Sequence, residues 1–257
     1  MYATQNFPAY KRTDRNFFLF MMILMWSAIL SGFGYEMVQK YQHNKLHYPL
    51  IVTFHAIAFV GWLVLITTQI ILIRTNHVSL HKKLGWAGAI LAGIMVILGT
   101  ITTIIMSKLE YGTPDGDLHF LSVTLGDMLL FGTIAGAGIY LRTHASAHKR
   151  LMLVATLLLS DAGYGRWAAL KISPLFGNYF WTYTTFHEGF LPFFGFQVLP
   201  TLVTILLLGL YDLITRKQLH PVYIWVVGWY LVVVLTASWL YYSPWWYQVA
   251  KHIVGVS

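Results

Sequence analysis

Seven runs of about 20 mainly apolar residues constrain this chain more than any other feature. They cover roughly Phe17–Val38, Leu50–Ile73, Leu84–Met106, Phe120–Leu141, Leu151–Leu170, Phe190–Ile214 and Val222–Tyr242. At a rise of about 1.5 Å per residue, each is long enough to cross a bilayer as an α-helix. Hydrophobic residues make up 57% of the 257 and charged residues only 10%. A soluble domain carries about 25% charged residues, so this chain could not cover itself in water. The fold expected is an all-α membrane protein of about seven transmembrane helices.

The net charge of +8 does not point to nucleic acid, because the cations form no basic stripe and lie in short connections between apolar runs. The bilayer is the partner that composition implies. With no cysteine, disulfides, thiolate ligands and cysteine nucleophiles are excluded. The first run is too long for a signal-peptide core and follows a polar lead, which predicts a retained span. Pro192 and Pro200 are expected to kink the sixth run. No Ser/Gly/Pro-rich linker divides the chain, so residues 1–257 read as one domain.

Orientation follows from the 17 Lys and Arg residues. With the N-terminus inside, Lys11, Arg12, Arg15, Arg74, Lys82, Lys83, Arg142, Lys149, Arg150, Arg216 and Lys217 fall on the inner side. Lys40, Lys45, Lys108, Arg166, Lys171 and Lys251 fall outside. The excess predicts a cytoplasmic N-terminus and an external C-terminus.

Two stretches repeat an arrangement: "SLHKKLGW" from Ser79 and "SAHKRLML" from Ser146. Ser79, His81, Lys82, Lys83 and Leu84 match Ser146, His148, Lys149, Arg150 and Leu151. Each serine is placed to cap the first turn of the helix that follows. His81 and His148 are 67 residues apart and open helices at the inner face. His55 and His119, 64 residues apart, lie near the outer ends of helices two and four. The pattern predicts a parallel repeat of helix pairs, 50–106 and 119–170, related by an axis along the membrane normal. Helices two to five would form a four-helix core, with 17–38, 190–214 and 222–242 peripheral.

Two facing histidines at each of two depths suit two haems. Haem iron accepts axial imidazoles, and neutral imidazole binds a metal without burying a charge. The histidine levels would stand about 20–30 Å apart. Gly85, Gly88, Gly93 and Gly99 on helix three, with Gly126, Gly132, Gly136 and Gly138 on helix four, could make room for a macrocycle. Such small residues also let helices approach with no ligand between them.

The pattern resembles the cytochrome b561 group of transmembrane electron carriers. The stretches "HAIAFVGWLVLITTQ", "LHKKLG" and "HKRLMLVATLLLSDAGYGRW" are also similar to an uncharacterised bacterial membrane family related to that group. The resemblance covers roughly residues 50–170. It implies two b-type haems, one held by His55 and His119 and the other by His81 and His148. Electrons would pass from an unidentified donor to an unidentified acceptor across a bacterial inner membrane. It also sets Met152 and Arg166 after His148 as in that bacterial family. Arg166 would meet a haem propionate or a substrate anion. The assembly allowed includes a homodimer. Seven spans exceed the number usual in the b561 group, and no ascorbate-site signature is present.

Other readings stay open. Each histidine and its neighbouring cations would also suit a membrane interface, with Lys82, Lys83, Lys149 and Arg150 snorkelling to headgroups. A metal-dependent membrane enzyme acting on a lipid or small apolar substrate would need three or so ligands at one depth. His55, His119 and His187 with Asp115 or Asp117 are its candidates. A proton-coupled transporter would use Asp127, Asp161 and Arg166, with His55 titrating. His43 and His47 have a one-face helical spacing but no nearby third ligand, and His187 with Glu188 could line an outer entrance. The "YYSPWWYQ" aromatics mark an interface.

Overall fold

The computed structural model describes residues 7, 11–42, 48–113, 116–167 and 198–257. They form helices α1 (Asp14–Gln42), α2 (Leu50–Arg74), α3 (Val78–Glu110), α4 (Leu121–Tyr140), α5 (Ala145–Trp167), α6 (Leu199–Arg216), α7 (Pro221–Tyr241) and α8 (Pro244–Val254). A single 3-10 turn, Leu118–Phe120, leads into α4. Helices α1, α2, α3, α6 and α7, and the helical stretch Leu118–Tyr140, are long and apolar enough to cross a membrane. The chain is an all-α integral membrane protein.

Helix α5 falls outside that set and has another environment. Leu153, Val154, Ala155, Thr156, Leu157 and Ser160 are all buried inside the protein. It packs along α1 on one side and α4 on the other. A helix surrounded by protein can carry Lys149, Arg150 and Asp161 where a lipid-facing helix could not, whereas Arg166 near its end is 40% exposed. The lipid-facing helices are the more uniformly apolar ones, exposing residues such as Ile57, Val64, Ile90 and Ile97.

The α1–α5 crossing is close because both helices present glycine. A Cβ on Gly32 would run into the Gly163 carbonyl, and one on Gly163 would stand 2.7 Å from the Ala28 oxygen. With no hydrophobic drive between helices in lipid, such backbone approach supplies the packing. Across the bundle, Trp62 of α2 meets the Phe131 ring of α4 edge-on at 5.3 Å. Its Nε1 also donates to Thr156 Oγ1 of α5 at 3.2 Å. That indole joins three helices at the centre.

Several expectations change. Pro200 does not kink the sixth span; it stands in the first turn of α6, where the missing N–H is not needed. Pro192 lies outside the described residues. Ser79 and Ser146 are not caps: α3 and α5 start at Val78 and Ala145, so each serine is the second helical residue. Ser146 Oγ instead accepts from Arg150 Nη1 at 2.9 Å. The space beside Gly88, Gly99, Gly132 and Gly138 is taken by Leu65, Met128, Val96 and Met152 of neighbouring helices, so these four glycines serve helix packing. The aromatics after Tyr241 continue into α8, whose Trp246, Ala250 and Val254 pack on Leu118 and Leu121.

Candidate functional site

His81 and His148 are each the fourth residue of a helix, on the first turns of α3 and α5. Both helices pack against α4, which brings their N-terminal turns to one end of the bundle. The two imidazole rings meet there edge-on, with centroids 6.2 Å apart and planes at 81°. His148 Nδ1 lies 2.8 Å from the Gly138 carbonyl of α4. Only an N–H can satisfy that oxygen, so Nδ1 carries a proton, and in a neutral ring the lone pair would then be on Nε2. His81 Nδ1 is buried with no hydrogen-bond partner among the described residues.

This pair fits a metal held between two imidazoles. Two metal–nitrogen bonds of about 2 Å, plus the reach of each ring from centroid to nitrogen, give a centroid spacing of about 6 Å. The carbonyl behind His148 is the outer partner that fixes a ligand's tautomer. One turn along α3 from His81, the neighbour found beyond Gly85 is the Gln69 amide, 3.8 Å from where a Cβ would stand.

His55 and His119 are not brought together in the same way. The His55 ring stacks on Phe59 at 4.0 Å, with the Arg166 charge in range. The His119 ring stacks on Tyr247 at 5.0 Å and leans on Tyr241 at 5.7 Å. Asp117 fixes that segment, accepting from the His119 N–H at 2.9 Å and the Tyr241 hydroxyl at 2.8 Å. Both histidines keep a buried Nδ1 with no partner among the described residues. Arg166 pairs with Glu36 of α1 at 2.5 Å. His43, His47, Asp115, His187 and Glu188 lie outside the described residues. Among the described residues, no group of three or more His, Cys, Asp or Glu gathers as a metal site.

Sequence reasoning misses a buried charge network beside the His81–His148 pair. Arg150 makes a two-pronged bond to Asp212, at 2.6 and 2.7 Å, with 1% of each side chain exposed. Arg216, also buried, reaches Asp212 at 3.0 Å and Asp14 at 2.5 Å. Lys149 closes the set on Asp14 at 2.6 Å. Lys149 and Arg150 therefore turn inward rather than snorkelling, whereas Lys82 and Lys83 are exposed. The Phe7 ring lies over both guanidinium groups, 4.7 Å from Arg150 and 5.6 Å from Arg216. It also meets His220 edge-on at 4.6 Å. Burial, then the charge of Arg150, pushes the His220 imidazole down to about 4. The available signal is Asp212 within an apolar run, four residues before Arg216.

A second polar spot lies between α4, α5 and α7. Asp127, Asp161 and Tyr230 line a cavity of about 10 Å³, otherwise walled by residues such as Val123, Leu130 and Leu158. Asp161 accepts from Thr201 Oγ1 at 2.6 Å. A space of that size holds about one water molecule.

No family model, curated protein or solved structure matches this chain.

Proposed function

We propose that this membrane protein is an electron carrier of the b561-like kind, holding a b-type haem between His81 and His148. The observation that carries the reading is the approach of those two rings, with centroids 6.2 Å apart. A bound haem supplies a reversible one-electron change at its iron. The chain's part would be to hold both imidazoles in place and exclude water. The Gly138 carbonyl does the holding for His148.

The full reading adds a second haem at the opposite end of the bundle, with His55 and His119 as ligands and Arg166 nearby. Its support is two buried ring nitrogens without partners among the described residues, whose rings meet other aromatics. Electrons would then pass from a donor on one side to an acceptor on the other. The helix ends that carry most of the Lys and Arg meet at the His81–His148 end. There Arg74 Nη1 donates to the Arg15 carbonyl at 2.8 Å, and Lys149 and Arg216 both bind Asp14. By the positive-inside rule that end faces the cytoplasm, as in a bacterial inner membrane. Absorption spectra of purified protein, before and after dithionite, test the reading. The expected result is a Soret band that shifts on reduction. Protein made with ample haem yet lacking a Soret band would overturn it, and stoichiometric zinc without iron would favour a metal-dependent enzyme.

A second reading, a proton-coupled carrier, draws on Asp127 and Asp161 lining one small cavity inside the bundle. Intramembrane carboxylates of that kind commonly relay protons. It predicts proton uptake by proteoliposomes that Asp161→Asn abolishes; uptake unchanged by that substitution would remove it.

A further inference from the structure

A histidine that binds a metal through Nε2 carries its proton on Nδ1, and that N–H needs an acceptor when buried. His148 has one in the Gly138 carbonyl. His81 does not, for its Nδ1 is buried and partnerless among the described residues. Across the α2–α3 contact Gln69 has the complementary fault. It is 8% exposed, and its Oε1 is a buried acceptor with no donor among the described residues.

The two residues are neighbours. The His81 ring lies within reach of the Gln69 main chain. The Gln69 amide lies beside Gly85, one turn along α3 from His81, and Gly85 brings no side chain of its own into that space. The nearby hydroxyls of α2 are engaged, Thr67 donating to Leu63 O at 2.7 Å and Thr68 to Val64 O at 2.8 Å. A glutamine's terminal amide turns over a broad range at little cost. Joining an unsatisfied buried donor to an unsatisfied buried acceptor relieves both penalties at once.

We infer that Gln69 is the positioning residue for His81, its Oε1 accepting from His81 Nδ1 as the imidazole takes up the metal. The inference rests on the haem reading above. It makes α2 supply for one ligand what α4 supplies for the other. An acceptor on Nδ1–H makes the imidazole a stronger electron donor and favours the oxidised metal; an anionic acceptor does so more strongly.

The test uses the purified full chain carrying Gln69→Leu, Gln69→Met or Gln69→Glu. Haem is titrated into the apo form, and the midpoint potential of the loaded protein is measured. Gln69→Leu and Gln69→Met should weaken haem binding by about tenfold or more. They should raise the potential, while Gln69→Glu lowers it. Each tenfold change in the preference for oxidised over reduced iron is 59 mV. A role in packing alone would leave the potential of Gln69→Met at the wild-type value, and that variant keeps the shape should Gln69→Leu not fold. Potentials and affinities equal to wild type in the Met and Glu variants would overturn the inference and leave the haem reading standing. Wild-type protein that binds no haem would overturn both.

Discussion

Arg150 and Asp212, on α5 and α6, hold each other by two hydrogen bonds of 2.6 and 2.7 Å with 1% of either side chain exposed. Removing one partner strands a charge inside the protein, which costs about 3–5 kcal/mol, whereas replacing both with apolar residues can be neutral. Asp212→Ala is therefore expected to lower the thermal unfolding midpoint in detergent sharply. The double variant Arg150→Met, Asp212→Leu should recover most of the loss, less any part that Arg216 takes in the pair. A double variant no more stable than Asp212→Ala would mean that the network, not the stranded charge, sets the cost.

The α1–α5 crossing predicts an asymmetry among glycines of one helix. Gly32→Ala and Gly163→Ala each force a methyl group against backbone of the facing helix. Overpacking of this kind costs about 1–3 kcal/mol. Gly34→Ala meets nothing within 4 Å, so it should leave stability unchanged or raise it by about 0.5–1 kcal/mol. Unfolding midpoints of the three variants check this, and equal losses at Gly32 and Gly34 would contradict the crossing.

His220 gives a pH dependence with a definite sign. Its imidazole, ordinarily near 6.5, titrates at about 4 in the folded chain because it is buried beside Arg150. As pH falls below 6.5 the unfolded chain takes up a proton there that the folded chain refuses until about pH 4. Its contribution to stability is thus complete above pH 6.5 and is lost as pH drops towards 4. His220→Asn keeps an acceptor for the Val222 N–H, which His220 Nδ1 now receives at 3.2 Å. The stability gap between wild type and this variant should be widest near pH 7 and narrow towards pH 4.5. A gap that stays constant, or widens in acid, would show that His220 is charged in the fold.

The repeated histidines predict separable losses. On the proposed haem reading, His81→Ala and His148→Ala should each abolish haem binding at that end, and with two haems iron content falls by about half because the two levels are far apart. His55→Ala should give the complementary loss, while His43→Ala and His47→Ala change neither spectrum nor iron content. Exchanging the exposed Lys82 and Lys83 for glutamine should leave haem bound and alter orientation or donor docking.

Much of the fold is legible because length and apolarity are local properties: α1 to α7 lie on the seven runs. The helix starts are less so. Helix α3 begins at Val78 rather than Leu84 because Ser79, His81, Lys82 and Lys83 form a polar first turn outside the apolar run. The approach of His81 and His148 is legible too, since a repeat carries equal residues to equal heights. The same 67-residue offset extends to His77 and His144, which bind Thr75 and Thr143 hydroxyls at 2.8 and 3.2 Å. His119 escapes the pattern because a 3-10 turn held by Asp117 and the tyrosines of α7 and α8, outside the repeat, set its ring. The charge network is the least legible part. Arg150 meets Asp212 from 62 residues away and Arg216 meets Asp14 from 202, so no local signal announces either pair.

If His81 and His148 hold one haem as proposed, their ring planes at 81° would give it a spectroscopic signature. Two imidazoles held near-perpendicular would make a low-spin ferric iron strongly anisotropic, whereas parallel ones would give a rhombic spectrum. Low-temperature electron paramagnetic resonance of the oxidised protein should therefore show a low-spin signal dominated by one large g value, lost in both His81→Ala and His148→Ala. No haem signal in haem-sufficient wild type, or a large-g signal that survives both substitutions, would contradict the account.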